Sequence, residues 1–391
     1  MSYLNMRILF FIQDLGAGGV LRQLDVLASE LTDRGHTVSV AAMYTKSSDW
    51  TDIWNAGAPP FRTIFDYKTY ANIPGPLTLL KAVSGLKRII ASERPDVLYS
   101  FAGNAAMLVS WLASLTPDTT KLVWGIRGSG QPLKLKTGDL KYMASLRLLA
   151  WISRTVPLAI YNSEAGFTFR RSTGHRFRNE RIIHNGIDTK RFKPDSEARD
   201  SLRREWGIND GEILIGAAGR IVPEKGLDHF IKAAAAIKKV GQRIRVVIAG
   251  GGDPEYKRKL DTLCAGSELG GGIVWAGARN DMGRFYNSLD LFCSPSRGEG
   301  FPNVVAEAMA CGVPCVATDA GDSASIIDRF GIVVPADNAD ELARGLMQAL
   351  NRLTDFNPAE LRSSIVSKYS TGKMTASTEA ALLDLLGHRA L

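Results

Sequence analysis

The chain has 391 residues, 45% of them hydrophobic, enough for a substantial core and, at roughly 150–200 residues per domain, for two domains. No run approaches the roughly 20 apolar residues of a membrane-spanning helix, and the start, MSYLNMRILFFIQDLGAGG, reads as a strand entering a glycine turn without a signal peptide's cleavage region, so a cytoplasmic protein is expected. The net charge of +8 is uneven: residues 1–185 hold 22 Lys and Arg against 13 Asp and Glu, the remainder 26 against 27, which points the first half towards an acidic partner, a phosphate-bearing acceptor or an anionic membrane face, with scattered solvated lysines the plainer alternative.

From Arg7 the chain alternates RILFFI, the glycine turn QDLGAGG, the helix-period stretch VLRQLDVLASELTDRG, and HTVSVAAM. Strands and helices alternating at these lengths favour a parallel sheet with helices on both faces. Further on, QPLKLKTGDLKYMASLRLLAWISR, residues 131–154, mixes cations with Leu, Met and Trp; it reads either as a segment lying on an anionic membrane or as an interior helix with basic flanks. Turn signals at Asn185-Gly186 and Lys193-Pro194 mark a boundary near residue 185. A second series then restarts at Ile213: ILIGAAG, GLDHFIKAAAAIKKVG, RIRVVIAGGG, PEYKRKLDTLCAG, IVWAG, DMGRFYNS, LDLFCSP. This gives two doubly wound α/β domains, 1–185 and 186–374, followed by a last helix at 375–391. The four cysteines, Cys264, Cys293, Cys311 and Cys315, have spacings of neither a disulfide framework nor a zinc site and read as buried small hydrophobes.

Open α/β sheets bind ligands at the carboxyl ends of their strands, so the strand-to-helix loops of two such domains facing across a cleft should carry the chemistry. The first loop, QDLGAGGVLR, has glycines that suit close approach of a phosphate to a helix N-terminus, although it lacks the third glycine of a dinucleotide fingerprint and also reads as a simple tight turn. In GRIVPEKGLDHF, Arg220 and Lys225 flank a proline-shaped turn and could clamp a diphosphate; taken singly, each reads as a surface charge. In SRGEGFPNVVAEAMACGVPCVAT, Glu299 falls in a glycine turn and Glu307 in the first turns of the following helix, with the amides of Phe301 to Val304 at the helix start. Two acceptor-only groups so placed can take hydroxyls of two sugars, such as a ribose and a hexose joined through a diphosphate; the alternative is a solvated loop acid and a helix-start acid favoured by the dipole.

With these motifs assembled, the chain resembles the retaining glycosyltransferases of the GT-B fold, glycosyltransferase family 4. The resemblance runs from GAGGVLRQLDVLASELTDRGHTVSV through YNSEAG, HNGID, GRIVPEKGLDHFIKA, AGGG and WAGARNDM to SRGEGFPNVVAEAMACGVPCVATDAGDSASII. The glutamate pair in GEGFPNVVAEAMACG and the Arg-x4-Lys pair are its most specific parts. It implies that Arg220 and Lys225 hold the donor diphosphate, that Glu299 and the backbone of Gly300, Phe301, Pro302 and Asn303 contact the donor sugar, and that Val304 N–H meets a phosphate. Glu307 would take the ribose hydroxyls, the backbone from Gly277 to Arg279 would face the base, and Gly18 and Gly19 would close over the phosphates from the other domain. The last helix would cross back onto the first domain. Two departures stand out: Arg127 occupies a loop where many members have histidine, which makes it a candidate sugar or acceptor contact, and His184 stands where proline is common.

The expected activity is transfer of a hexose or N-acetylhexosamine from a nucleotide sugar, UDP-linked, to a glycan or lipid-linked saccharide in surface polysaccharide synthesis, with retention of configuration. The chain has no D-x-D sequence, so neither a metal nor another cofactor is expected and the two cations take the metal's place. An epimerase or hydrolase of the same architecture, and a non-catalytic nucleotide-sugar binder, are the alternatives. The basic half lacks aromatics interleaved on a recognisable nucleic-acid module, which argues against that partner; an anionic inner-membrane face is a candidate partner surface, with an interior helix at 131–154 the equal alternative.

Overall fold

The computed structural model describes residues 5–14, 18–45, 59–66, 75–115, 119–128, 140–270 and 272–387. The chain divides into two compact units, one formed by residues up to Gly186 together with those from Thr371 onward, the other by Ile187–Ser370.

The first unit holds β1 Arg7–Asp14, β2 Thr37–Thr45, β3 Phe61–Asp66, β4 Val97–Phe101, β5 Lys121–Ile126, β6 Leu158–Tyr161 and β7 Asn179–Ile182. They pair in parallel in the order β3-β2-β1-β4-β5-β6-β7. Strand β1 shows why its sequence is an unbroken apolar run. Ile8, Phe10 and Ile12 pack into the core on one side, and Leu9 and Phe11 into the core on the other. A parallel sheet covered by helices on both faces has no wet side on which polar residues could alternate.

The second unit repeats this logic with β8 Ile213–Ala218, β9 Ile244–Ala249, β10 Ile273–Gly277, β11 Leu291–Ser294, β12 Cys315–Thr318 and β13 Ile332–Val334, ordered β10-β9-β8-β11-β12-β13. In β9, Ile244, Val246 and Ile248 face one core and Val247 and Ala249 the other. In both sheets the direction of winding reverses beside the first strand, between β1 and β4 and between β8 and β11. That reversal opens the crevice in which doubly wound sheets take ligands. All four cysteines are buried and unpaired.

The chain passes between the units twice, at Gly186/Ile187 and at Ser370/Thr371. Gly186 is held on both backbone groups by Gln23: its N–H donates to Oε1 at 2.9 Å and its carbonyl accepts from Nε2 at 2.8 Å. Ile187 N–H donates to Tyr369 O at 2.7 Å and Ile187 bridges Ser370 in parallel. The final helix runs Thr371–Leu385, four residues earlier than the expected start at 375, and the second unit accordingly stops at 370 rather than 374. Its departure point is set by Tyr369, which buries its ring against Phe301 and ends the preceding helix, Pro358–Tyr369. The final helix packs on helix Gly19–Asp33, burying Met374, Ala381 and Leu382. Its Glu379 accepts from Arg34 at 2.7 Å and pairs with the buried His36 at 2.9 Å.

Candidate functional site

The loops leaving β8 and β11 bring two of the expected residues, Lys225 and Glu299, into contact. After β8 the chain makes a short 3-10 turn, Pro223–Lys225, which the helix period did not reveal, before helix Leu227–Lys239. The turn is joined to the helix by Gly226 at φ 62°, and a Cβ there would lie 1.9 Å from the carbonyl oxygen of Pro295. Glycine is therefore required twice over, for its backbone conformation and for the approach of the two loops. The approach places Lys225 Nζ 2.5 Å from Glu299 Oε1, and Ser296 Oγ donates to the same oxygen at 2.7 Å. Thr318 Oγ1, from the end of β12, donates to Ser296 O at 2.5 Å and fixes the loop from below. On its far side the loop is seated on Gly321, whose φ of 61° and lack of Cβ leave room for Gly300 O, which accepts from Asp322 N–H at 2.9 Å.

Lys225, which taken singly reads as a surface charge, is thus already paired, with the side chains 22% and 12% exposed. Partial burial makes such a pair stronger than a solvated one. An ammonium has three donors, so Lys225 can keep Glu299 and still reach a phosphate oxygen. Arg220 is exposed, and among the described residues its guanidinium makes no ion pair or hydrogen bond. A free cation and a tethered one are therefore carried by the same loop after β8.

Helix Asn303–Ala310 follows the Glu299 turn, with Pro302 at its N-cap and no capping side chain. A helix start without a side-chain cap, carrying the positive end of the dipole, suits an anion. Phe301 lies in the core with its ring 5.2 Å from that of Tyr369, so only its backbone can meet a ligand; Asn303 and Val304 are partly exposed. Glu307 is the fifth residue of this helix, within its first turns as expected, and only 6% exposed. Tyr286 Oη donates to its Oε2 at 2.7 Å. Tyr286 is fully buried, its ring wedged against Phe192, Phe285 and Phe292.

Gly277 ends β10 and is exposed, its carbonyl accepting from Gly250 N–H at 2.7 Å in the glycine turn after β9. Arg279 gives Nε and Nη2 to Asp281 at 2.8 and 2.7 Å. These bonds raise the arginine's pKa and lower the aspartate's. The Arg279 side chain is committed there, which leaves the backbone of this turn to a ligand.

In the first unit Gly18 and Gly19 are exposed at the start of helix Gly19–Asp33, and nothing stands within 4 Å of where a Gly18 Cβ would be. Arg127 follows β5, with Nη1 donating to Asn185 Oδ1 at 3.1 Å and Nη2 to Tyr99 Oη at 3.3 Å, and its guanidinium 4.0 Å above the Phe101 ring. Burial lowers its pKa, partly offset by Tyr99. The membrane candidate falls partly outside the described residues, at 131–139; the rest is helix Leu140–Ser153, where Leu148 and Trp151 are exposed. No helix among the described residues is long and apolar enough to cross a membrane.

Comparison with known families bears directly on these loops. Residues 17–191 match the model of Glycosyltransferase Family 4, and residues 198–363 that of Glycosyl transferases group 1. The chain belongs to glycosyltransferase family 4. Among curated relatives of this family 4 chain, the lipopolysaccharide core biosynthesis mannosyltransferase LpsB of Rhizobium meliloti is 31% identical over 164 residues, 40% of the chain and 46% of the relative. The corresponding mannosyltransferase LpcC of Rhizobium leguminosarum is 30% identical over 222 residues, 55% and 60% respectively. The matches thus span about half the length of these relatives. Among solved structures, Anabaena HepE in complex with UDP-glucose superposes with a TM-score of 0.81 at 22% identity, covering 97% of this chain and all of that one. Sucrose-phosphate synthase of Thermosynechococcus elongatus gives 0.83 at 19% identity, covering 97% and 99%. These likenesses establish the two-sheet GT-B fold.

The Arg220–Lys225 and Glu299–Glu307 spacings were legible in the sequence. Ser296, Thr318 and Tyr286 were not singled out. A serine beside a proline and a tyrosine at an apolar helix position carry no signal of where their hydroxyls go.

Proposed function

We propose that the protein is a retaining glycosyltransferase that moves a hexose or N-acetylhexosamine from a nucleotide sugar to a glycan or lipid-linked saccharide in surface polysaccharide synthesis. The observation that carries this is the Lys225–Glu299 pair, made by two loops where the second sheet reverses, one of which also bears Arg220 while the other leads into the uncapped helix at Asn303. A diphosphate placed there meets the cations of the first loop and the start of that helix, and a sugar attached to it meets Glu299.

In this reading the bond from the anomeric carbon to the diphosphate breaks while the acceptor oxygen bonds on the same face, and the acceptor's proton passes to the departing phosphate oxygen. Arg220, Lys225 and the helix amides stabilise the charge that develops on the leaving group, the largest effect a site of this kind supplies. Glu307, oriented by Tyr286, takes the ribose hydroxyls, and Gly277 to Arg279 face the base. In this reading the cations take the place of a metal, and transfer is expected to continue in the presence of chelator. The first unit takes the acceptor, with Arg127 as a contact for its sugar or phosphate; the partners this guanidinium has among Tyr99, Asn185 and Phe101 are all neutral.

A UDP-linked donor is the first reading, supported by the fold shared with HepE, whose complexes hold UDP and UDP-glucose. A GDP-mannose donor is the second, supported by relatives named as mannosyltransferases, one of them the GDP-mannose-dependent alpha-mannosyltransferase of Mycobacterium tuberculosis. A thermal-shift screen separates them, since a nucleotide sugar at 100 times its dissociation constant adds about 2.7 kcal/mol of stability. With the donor in hand, Lys225→Ala and Glu299→Ala are each expected to lower transfer at least about tenfold, or about 1.4 kcal/mol. Activity within about threefold of wild type, or an inverted anomeric product by NMR, overturns the mechanism. Release of free sugar with donor alone and no transfer would favour a hydrolase.

A further inference from the structure

The Arg220–Lys225 turn and the Ser296–Glu299 loop come from elements far apart in sequence, yet the site needs them in register. Between them stands Arg297, a residue with no role in the reading above. Its backbone N–H donates to Glu224 O at 2.9 Å. Its guanidinium donates through Nη1 to Pro223 O at 2.5 Å, through Nη1 and Nη2 to the two oxygens of Asp228 at 2.9 and 2.8 Å, and through Nε to Asp337 Oδ1 at 2.6 Å. His229 Nε2 lies 3.1 Å from Nη2, and Tyr256 Oη donates to Asp228 from helix Pro254–Ala265 at 2.9 Å. The side chain is 18% exposed, so this planar fork is saturated on one side by the Lys225 turn and on another by the loop before helix Ala339–Leu350.

We propose that Arg297 is a positioning residue that acts through Lys225: it clasps the turn Pro223–Lys225 and the start of helix Leu227–Lys239 to the Glu299 loop, and so sets the ammonium where it meets the donor's diphosphate. Glu299 is two residues along the chain and Lys225 two residues beyond the carbonyl that Arg297 holds. A rigid fork with five donors can hold a carbonyl and two carboxylates at once, which a lysine cannot. Displacement of a charge by about 1 Å can cost on the order of a hundredfold. The inference rests on the reading of Lys225 as a diphosphate ligand.

The test is calorimetric binding of UDP and of UMP, which lacks the second phosphate, with GDP and GMP in their place if the donor screen favours guanosine. Arg297→Met is expected to weaken UDP binding about tenfold and UMP binding much less, with Arg297→Lys recovering only part. In a Lys225→Ala background the same substitution is expected to cost less than about twofold, because contacts that work through one another are not additive. Equal losses for UDP and UMP, an undiminished loss in the Lys225→Ala background, or UDP affinity unchanged in Arg297→Met overturns the clasp. If Arg297→Met does not fold, Asp228→Asn, which keeps the shape and weakens the fork, is read by the same criteria. Unchanged UDP affinity in Lys225→Ala alone overturns the underlying reading of Lys225.

Discussion

Glu299 and Glu307, eight positions apart, are held by unlike means. Glu299 is gripped at one oxygen by a cation and a hydroxyl, whereas Glu307 is buried and aimed by the phenol of Tyr286. A carboxylate has about four lone-pair sites, so one tyrosine bond orients the group without exhausting it. Tyr286→Phe keeps the ring in its aromatic wedge and deletes only this bond. It is expected to raise the donor KM about three- to tenfold, about 0.7–1.4 kcal/mol, the net worth of one ordinary hydrogen bond because the deleted bond orients the carboxylate rather than touching the donor, with little change in kcat. The 2′-deoxyribose form of the donor should separate binding to ribose from general damage: wild type should disfavour it, and Tyr286→Phe should lose much of that preference. Equal preference in both proteins would remove Tyr286 from this role. The carboxylate spacing was readable from sequence, but the destination of the Tyr286 hydroxyl depends on how helices Met282–Asn287 and Asn303–Ala310 pack, which no local pattern encodes.

At the scale of elements, strands such as β1 and β9 declared themselves because burial on both faces demands an apolar run. The ends of helices did not. Lys225 lies in a 3-10 turn whose conformation follows from Gly226 meeting Pro295, a contact across 69 residues of sequence that a reading of local period misses. The turn and helix Leu227–Lys239 are stapled by Asp228, whose burial alone would raise its pKa; hydrogen bonds from Arg297 and Tyr256 outweigh that and hold it below its ordinary 3.8, at about 2. A carboxyl depressed in the folded state contributes its stability in full above the unfolded value and loses it as pH falls through the folded one. The destabilisation caused by Asp228→Asn, measured by urea unfolding, should therefore be constant near neutrality and shrink as pH falls from 3.8 towards about 2. A difference that stays level down to the lower limit would show that the carboxylate's charge is not what the staple uses.

At the scale of the whole molecule, the duplication of one doubly wound plan was evident from the restart at Ile213, and the excess of cations in the first half was evident from counting. The structure adds what lies at the surface of that half: Leu148 and Trp151 stand out from helix Leu140–Ser153, with Arg147 and Arg154 also exposed. An apolar pair flanked by cations suits an anionic bilayer. Vesicles containing phosphatidylglycerol are expected to co-sediment the protein, neutral phosphatidylcholine vesicles much less, and Leu148→Glu with Trp151→Glu neither. Equal binding to both vesicle types would remove the electrostatic part of the idea.

The final helix has one more bearing, on the order in which the protein is made. Residues 187–370 form one contiguous stretch, whereas the unit begun first lacks the helix that shares a core with Leu24, Leu27 and Leu31 until residue 385 has emerged. Domains fold as units, and the usual order runs from the N-terminus. Here the half begun first is completed last, by a piece synthesised nearly two hundred residues later.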